Sequence, residues 1–102
     1  MIRVTSLKRS IAINLLAQSK PILAERYGVT CLALFGSIAR DRAEAGSDVD
    51  VLVGFNGPAT SARYFGVQFY LEDIFGCPVD LVTDKGLRAE LRPCVEREAI
   101  HV

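Results

Sequence analysis

Two aspartates, Asp48 and Asp50, are separated by a single residue in a stretch that otherwise has the composition of an apolar strand. Side chains alternate between the two faces of a strand, so both carboxylates are expected to point to the same side. Two adjacent negative charges repel each other, and holding them beside apolar residues is costly unless a cation compensates. Mg²⁺ prefers oxygen ligands and polarises phosphates, so the pair predicts a Mg²⁺ site for phosphate chemistry.

A third aspartate, Asp80, lies inside the apolar run from Pro78 to Val82. On a neighbouring strand it would complete a site for two metal ions. The alternative is that these acids cap helices or lie at solvated strand ends. That alternative is weaker for three acids in two apolar strands than for any one of them, because charged groups are rarely buried without partners.

Gly36 and Ser37 follow the first predicted strand and form a candidate phosphate-binding turn. Glycine lets a ligand approach the backbone closely, and the start of a helix offers unpaired amides and a positive dipole end. The Ser37 hydroxyl adds a donor, and Arg40, one turn further on, could reach a phosphate. The alternatives are a helix cap for Ser37 and a solvated helix residue for Arg40.

Helices and strands that alternate along the chain must position these residues. The expected helices are 6–19, 20–27, about 38–43, 60–75 and roughly 87–98; the expected strands are 29–35, 48–55, 78–83 and, as a short closing strand, 100–102. Ser6 is expected to cap the first helix and Pro21 to lie in the first turn of the second. The expected apolar face of the first helix consists of Leu7, Ile11, Leu15 and Leu16. This order predicts an α/β or α+β fold with a small sheet covered by helices.

The segment from Gly36 to Arg40, followed after a spacer by Ser47 to Asp50, resembles the signature of the DNA polymerase β-type nucleotidyltransferase superfamily. The whole chain is similar to the minimal nucleotidyltransferases of prokaryotes. Further matching segments are Ala33 to Phe35, Tyr70 to Asp73, Pro78 to Thr83 and Leu91 to Ala99. The chain departs from this pattern at Asp41, where family members commonly carry glycine, so another negative charge is expected near the phosphate site.

The resemblance implies the polymerase β-like nucleotidyltransferase fold, a small mixed twisted β-sheet flanked by helices. It implies that Asp48 and Asp50 bridge two Mg²⁺ ions on a nucleoside triphosphate and that Gly36 and Ser37 contact the phosphates. It also implies that Asp80 binds metal and helps to activate the acceptor hydroxyl. Many proteins of this kind resemble antitoxins that silence a HEPN-domain ribonuclease toxin by transferring AMP to it from ATP.

The composition is compatible with one domain over 1–102 and argues against several protein classes. Half of the residues are hydrophobic, 24% are charged and the net charge is zero, which is typical of a globular chain without a nucleic-acid partner. No segment reaches the roughly 20 apolar residues of a membrane-spanning helix, and the N-terminal stretch lacks the cleavage site of a signal peptide. Three cysteines without a CxxC motif predict reduced thiols, so we expect a cytoplasmic protein.

The acidic residues predict Mg²⁺-dependent phosphate chemistry, and the resemblance implies a nucleotidyltransferase that transfers AMP from ATP to a hydroxyl of a HEPN-type toxin and acts as its antitoxin. Two alternatives stay open: a catalytically weak module that neutralises a toxin by contact, and an enzyme with a small-molecule acceptor. A chain of 102 residues has little surface with which to enclose an acceptor, so we expect another protein to present it. The aromatic residues of helix 60–75 are either an exposed surface for that partner or part of a helix buried on two sides.

Overall fold

The computed structural model describes residues 8–40, 48–86, 90 and 92–102, without the side chains of Ser37 and Cys94. Several predicted features fall outside the described residues. They are Ser6, Leu7, Asp41, the last part of helix 38–43 and the beginning of helix 87–98. Helices and strands alternate over the described ranges as predicted. They are α1 (Arg9–Tyr27), β1 (Val29–Phe35), α2 (Gly36–Ala39), β2 (Val49–Phe55), α3 (Ser61–Phe75), β3 (Val79–Thr83), α4 (Arg92–Glu98) and β4 (Ile100–His101).

Helix α1 runs without interruption through Pro21, so the prediction of two separate helices was wrong. Proline cannot donate to the carbonyl four residues earlier and therefore usually begins a helix rather than lying inside one. Here Leu16 and Leu23, on either side of Pro21, are both fully buried. Continuing the helix keeps both leucines in the core, and the Ser19 hydroxyl adds a hydrogen bond to the Leu15 carbonyl at 2.7 Å. Tertiary packing therefore outweighs the local preference of proline.

The buried face of α1 also differs from the predicted one. The stripe that enters the core consists of Ala12, Leu16, Ser19 and Leu23. Ile11, which was expected on this face, is 48% exposed. Apolar residues occupy much of the circumference of α1, so helical periodicity alone could not distinguish the inward side from its neighbour.

The four strands form one mixed sheet in the order β3-β2-β1-β4. Strands β2 and β3 are parallel, whereas β1 is antiparallel to both β2 and β4. One face, which includes Val49, Val51 and Leu81, packs into the main core with α1 and α3. On the other face Leu52 packs with Val95 of α4 in a smaller cluster. The predicted small mixed sheet flanked by helices is confirmed.

Helix α3 closes the outer edge of the sheet with three polar side chains that recur every four residues. The Tyr64 hydroxyl donates to the Leu81 carbonyl, and the Gln68 amide donates to the Val79 carbonyl at 3.1 Å. The Glu72 carboxylate accepts from the Val79 amide at 3.1 Å. An unpaired strand edge is a template for aggregation, and these bonds satisfy it while holding β3 in register. No helix in the described ranges is long and apolar enough to cross a membrane.

Candidate active site

Two of the three predicted acids lie side by side in the sheet. Asp50 of β2 and Asp80 of β3 are direct partners in the parallel register. Because Val49 and Val51 face the main core, the intervening Asp50 faces the side that α4 covers, and Asp80 shares this face. Asp48 is exposed and directly precedes β2. The structure thus brings Asp50 and Asp80 together on one face of the sheet, while a shared face for Asp48 stays a prediction.

The Asp50 carboxyl is strongly perturbed. Its pKa rises from 3.8 to about 6, first because it is half-buried and then because the negative charges of Asp80 and Asp48 lie nearby. A side-chain hydrogen bond with Asp80 raises the pKa of Asp50 as well, whereas the positive charge of Arg40 lowers it. A proton on one of two neighbouring carboxyl groups reduces the repulsion between them. A bound cation would compensate the same negative charge and displace the proton.

Gly36 is required at the end of β1 for two reasons. Its φ angle is +80°, in the left-handed region that disfavours every residue with a Cβ atom. A Cβ at this position would lie 2.0 Å from Oδ2 of Asp50. The missing side chain therefore leaves the space that the Asp50 carboxylate occupies, and the Gly36 backbone approaches the acids directly. The close approach seen here is that of Asp50, and the contact of Gly36 with phosphate stays a prediction.

Helix α2 begins at Gly36, with Phe35 as the residue that precedes it. The Ser37 backbone consequently lies inside the first turn, so the expectation that Ser37 caps the helix from outside was wrong. The positive φ of Gly36 turns the chain earlier than the propensity of serine suggested. The Ser37 hydroxyl lies outside the described part of the structure, and its contact with phosphate stays a prediction.

Arg40 lies at the end of α2, where its backbone N–H donates to the Gly36 carbonyl at 3.1 Å. Its guanidinium forms an ion pair with Glu98 of α4, with Nη1 2.8 Å from Oε1. The same positive charge counteracts the raised pKa of Asp50. Arg40 therefore lies between the acids and the end of α4, close to the turn predicted to bind phosphate.

Asp48, Asp50 and Asp80 offer the oxygen donors that Mg²⁺ prefers, and the absence of a side chain at Gly36 gives the Asp50 carboxylate its place beside the turn. The donor set therefore fits the ion. Within the described ranges, no three acidic, histidine or cysteine side chains are gathered tightly enough to enclose a metal. Asp50 and Asp80 are partners in the sheet register and Asp48 directly precedes β2, and the convergence of the three acids on shared metal ions stays a prediction.

A cavity of about 220 Å³ lies elsewhere, at the opposite end of the central strands. Thr30 and Cys31 at the start of β1 and Gly54 near the end of β2 line it, together with Asp84 and Lys85. Gly54 is four residues beyond Asp50 along β2, a span of about 13 Å. None of the three aspartates lines this cavity.

The sequence analysis did not identify Glu98 or the three side chains that anchor β3. The spacing of Tyr64, Gln68 and Glu72 was a usable signal, because residues four apart share one face of a helix. No comparable signal linked Glu98 to Arg40, which is 58 residues away in sequence. His101, in β4, is exposed.

Comparison with protein families gives a match to the nucleotidyltransferase domain over residues 16–101. The chain is 36% identical over 89 residues to the protein adenylyltransferase MntA of Thermococcus cleftensis. That alignment covers 87% of this chain and 90% of the relative.

Solved structures give the same result for the fold. A structure assigned as a minimal nucleotidyltransferase superposes with a TM-score of 0.72 at 36% identity, covering 87% of this chain and 93% of the other. A tri-AMPylated HEPN toxin in complex with an MNT antitoxin, from Shewanella oneidensis, matches with a TM-score of 0.66 over 91% of this chain and 70% of the matched chain. At 16% identity the latter likeness concerns the fold alone.

Proposed function

Because the chain belongs to the nucleotidyltransferase family, we propose that it is one functional domain over 1–102 that transfers AMP from ATP to a hydroxyl of a partner protein. The observation that carries this proposal is the pairing of Asp50 with Asp80 beside the Gly36 turn. An acid pair beside a glycine turn suits a phosphate chain that arrives with its own cations. The name of the Thermococcus relative supports the choice of AMP and of a protein acceptor.

In the proposed reaction, the acceptor oxygen forms a bond to the α-phosphorus of ATP. The bond from that phosphorus to the oxygen bridging to the β-phosphate breaks, and pyrophosphate leaves. The acceptor hydroxyl must lose its proton, and Asp80 is the proposed residue that receives it because it is exposed whereas Asp50 is half-buried. Gly36, Ser37 and Arg40 are proposed to bind the phosphates, so that catalysis consists largely of positioning and charge compensation.

The residues proposed to hold Mg²⁺ are Asp48, Asp50 and Asp80. When bound, Mg²⁺ would neutralise charge on the triphosphate and lower the pKa of the acceptor hydroxyl. Asp80 and Asp48 place negative charge close to Asp50, and a bound cation would compensate this charge.

The proposed acceptor is a HEPN-type toxin, with this chain acting as its antitoxin. The Shewanella complex, in which an AMPylated HEPN toxin is paired with an MNT antitoxin, supports this choice. Helix α3 exposes Phe65 by 48% and Phe69 by 63%, and their rings stack at 6.1 Å. Of the two alternatives for these aromatic residues, exposure holds for Phe65 and Phe69, whereas Tyr64, Tyr70 and Phe75 pack against the core. We propose that the exposed pair binds the toxin, because exposed aromatic clusters are typical of protein interfaces.

The transfer is tested by incubating the chain with a HEPN protein encoded beside it, ATP and Mg²⁺, and by measuring the intact mass of the HEPN protein. We expect the addition of an AMP unit to a tyrosine, serine or threonine, and its loss in the Asp48→Asn variant. Neutralisation of the toxin without a change in mass, and with equal strength in Asp48→Asn, would instead establish a binding module that acts by contact.

The site residues are tested separately by thermal unfolding. Mg²⁺ with ATP should raise the melting temperature, because a ligand that binds the native state stabilises it. The double variant Asp48→Asn with Asp50→Asn should lose this gain. Asp73→Asn, the same chemical change on an exposed residue of α3, is the matched control and should keep it. An undiminished gain in the double variant would show that the ligands lie elsewhere.

A further inference from the structure

The ion pair between Arg40 and Glu98 joins two distant parts of the chain. Nη1 of Arg40 lies 2.8 Å from Oε1 of Glu98, and 58 residues separate the two in sequence. Arg40 ends α2, next to the proposed phosphate turn, while Glu98 is the last residue of α4. The arginine is thus held at both ends, by its backbone bond to the Gly36 carbonyl and by the carboxylate at its tip.

This pair is too exposed to be an important source of stability. The side chain of Arg40 is 47% exposed to solvent and that of Glu98 is 36% exposed. Water and salt screen such a pair, and exposed ion pairs contribute little or nothing measurable to folding. Its consequence is therefore geometric, because it selects one orientation of a side chain that would otherwise sample many.

The orientation of the Arg40 side chain matters because its guanidinium can be attracted either by the carboxylates of Asp50 and Asp80 or by that of Glu98. Gly36, whose carbonyl accepts from the Arg40 backbone N–H, lies directly beside the Asp50 carboxylate, and the positive charge of Arg40 lowers the pKa of Asp50. An unrestrained arginine would be drawn onto the Asp50 and Asp80 carboxylates and would compensate the charge meant for a cation. Glu98 attracts it from the α4 side. Among the described residues only Nη1 is engaged, so the remaining N–H donors can face a phosphate.

We propose that Glu98 is a positioning residue that holds the Arg40 guanidinium ready for the phosphates of ATP. This inference rests on the proposed function and adds a residue to the same site. Without Glu98, binding of ATP must first order the Arg40 side chain. Ordering one such side chain weakens binding by roughly three- to tenfold. The effect should fall on affinity, because ground state and transition state both require the ordered arginine.

The experiment measures the Kd of ATP by calorimetry in the presence of Mg²⁺, and KM and kcat for AMP transfer. Glu98→Gln should raise Kd and KM by roughly three- to tenfold and change kcat by less than about twofold. Glu96→Gln is the matched control, since it removes the same charge from the same helix but from a carboxylate that pairs with Arg92. It should bind ATP like the unmodified chain. Glu98→Asp keeps the charge with a shorter reach and should be intermediate.

A double-mutant cycle decides whether Glu98 acts through Arg40. In an Arg40→Ala background, Glu98→Gln should add no further loss of ATP affinity. An equal loss in that background, or ATP binding by Glu98→Gln that matches Glu96→Gln, would overturn the proposal. Should Glu98→Gln fail to fold, as judged by thermal unfolding, the comparison of Glu98→Asp with Glu96→Asp decides in the same way. If the unmodified chain binds no ATP, the proposed function itself fails; if it binds and transfers AMP, only the role of Glu98 is in question.

Discussion

Replacing Gly36 with alanine should destabilise the protein by two separable effects. The backbone at Gly36 has a φ of +80°, and an L-residue in this region costs about 1–2 kcal/mol. The new Cβ would also lie 2.0 Å from Oδ2 of Asp50. Relieving such an overlap by moving the carboxylate or the chain costs about 1–3 kcal/mol. The expected loss in the free energy of unfolding is therefore about 2–5 kcal/mol.

The two contributions can be measured apart because the chain contains a matched control. Gly76, at the end of α3, has a φ of +69°, but a Cβ there would meet nothing within 4 Å. Gly76→Ala should thus show only the backbone cost, about 1–2 kcal/mol. Urea denaturation in EDTA gives the free energy of unfolding for each variant. Gly36→Ala should be the more damaging of the two.

Removing the Asp50 carboxylate should rescue most of the difference. In an Asp50→Ala background the nearest remaining atom is the Asp50 Cβ, 3.1 Å from the alanine methyl group at position 36. Such a contact needs only a small adjustment, so the cost of Gly36→Ala should fall toward that of Gly76→Ala. If Gly36→Ala costs the same with and without the Asp50 carboxylate, the argument that glycine makes room for this acid is wrong.

Three further predictions concern the acids, the strand edge and the exposed aromatic pair. The raised pKa of Asp50 means that the folded state binds a proton more tightly than the unfolded state between pH 4 and 6, so stability should fall as pH rises through this window. Because Asp50 is only half-buried, solvent screening reduces the effect to about 1–2 kcal/mol. In EDTA, the free energy of unfolding of Asp50→Asn should exceed that of the unmodified chain by this amount at pH 7 and equal it near pH 4. A variant that is less stable at pH 7 would contradict the argument. Glu72→Ala removes the acceptor of the Val79 amide, so it should lower the free energy of unfolding by about 1–3 kcal/mol and speed hydrogen exchange at that amide. Unchanged exchange would show that this hydrogen bond is dispensable. Phe65→Ser with Phe69→Ser should change stability by less than about 1 kcal/mol while weakening toxin binding at least about tenfold, and intact binding by calorimetry would place the interface elsewhere.

The sequence alone predicted those features of the fold that depend on the conformational preferences of neighbouring residues. The predicted strand 29–35 agrees with β1 residue for residue, and the predicted strand 48–55 differs from β2 only at its first residue. Glycine signals placed the ends of α1 and α3 at Gly28 and Gly76, both of which have positive φ. These features follow from the conformational limits of a few neighbouring residues, so they can be read without knowing the fold.

Other features depended on contacts between distant segments and could not be read in this way. Proline at position 21 indicated a break in α1, yet burial of Leu16 and Leu23 on a common face kept the helix whole. The pairing of Asp50 with Asp80 required the parallel register of β2 and β3, which a turn signal does not specify. The contact of Arg40 with Glu98 required α4 to return across the sheet. Packing between distant segments stabilises these arrangements, and a local sequence pattern does not indicate which distant segments will be in contact. The chemistry of the site was therefore encoded in residue types and spacing, whereas the tertiary structure alone decided which charges face each other.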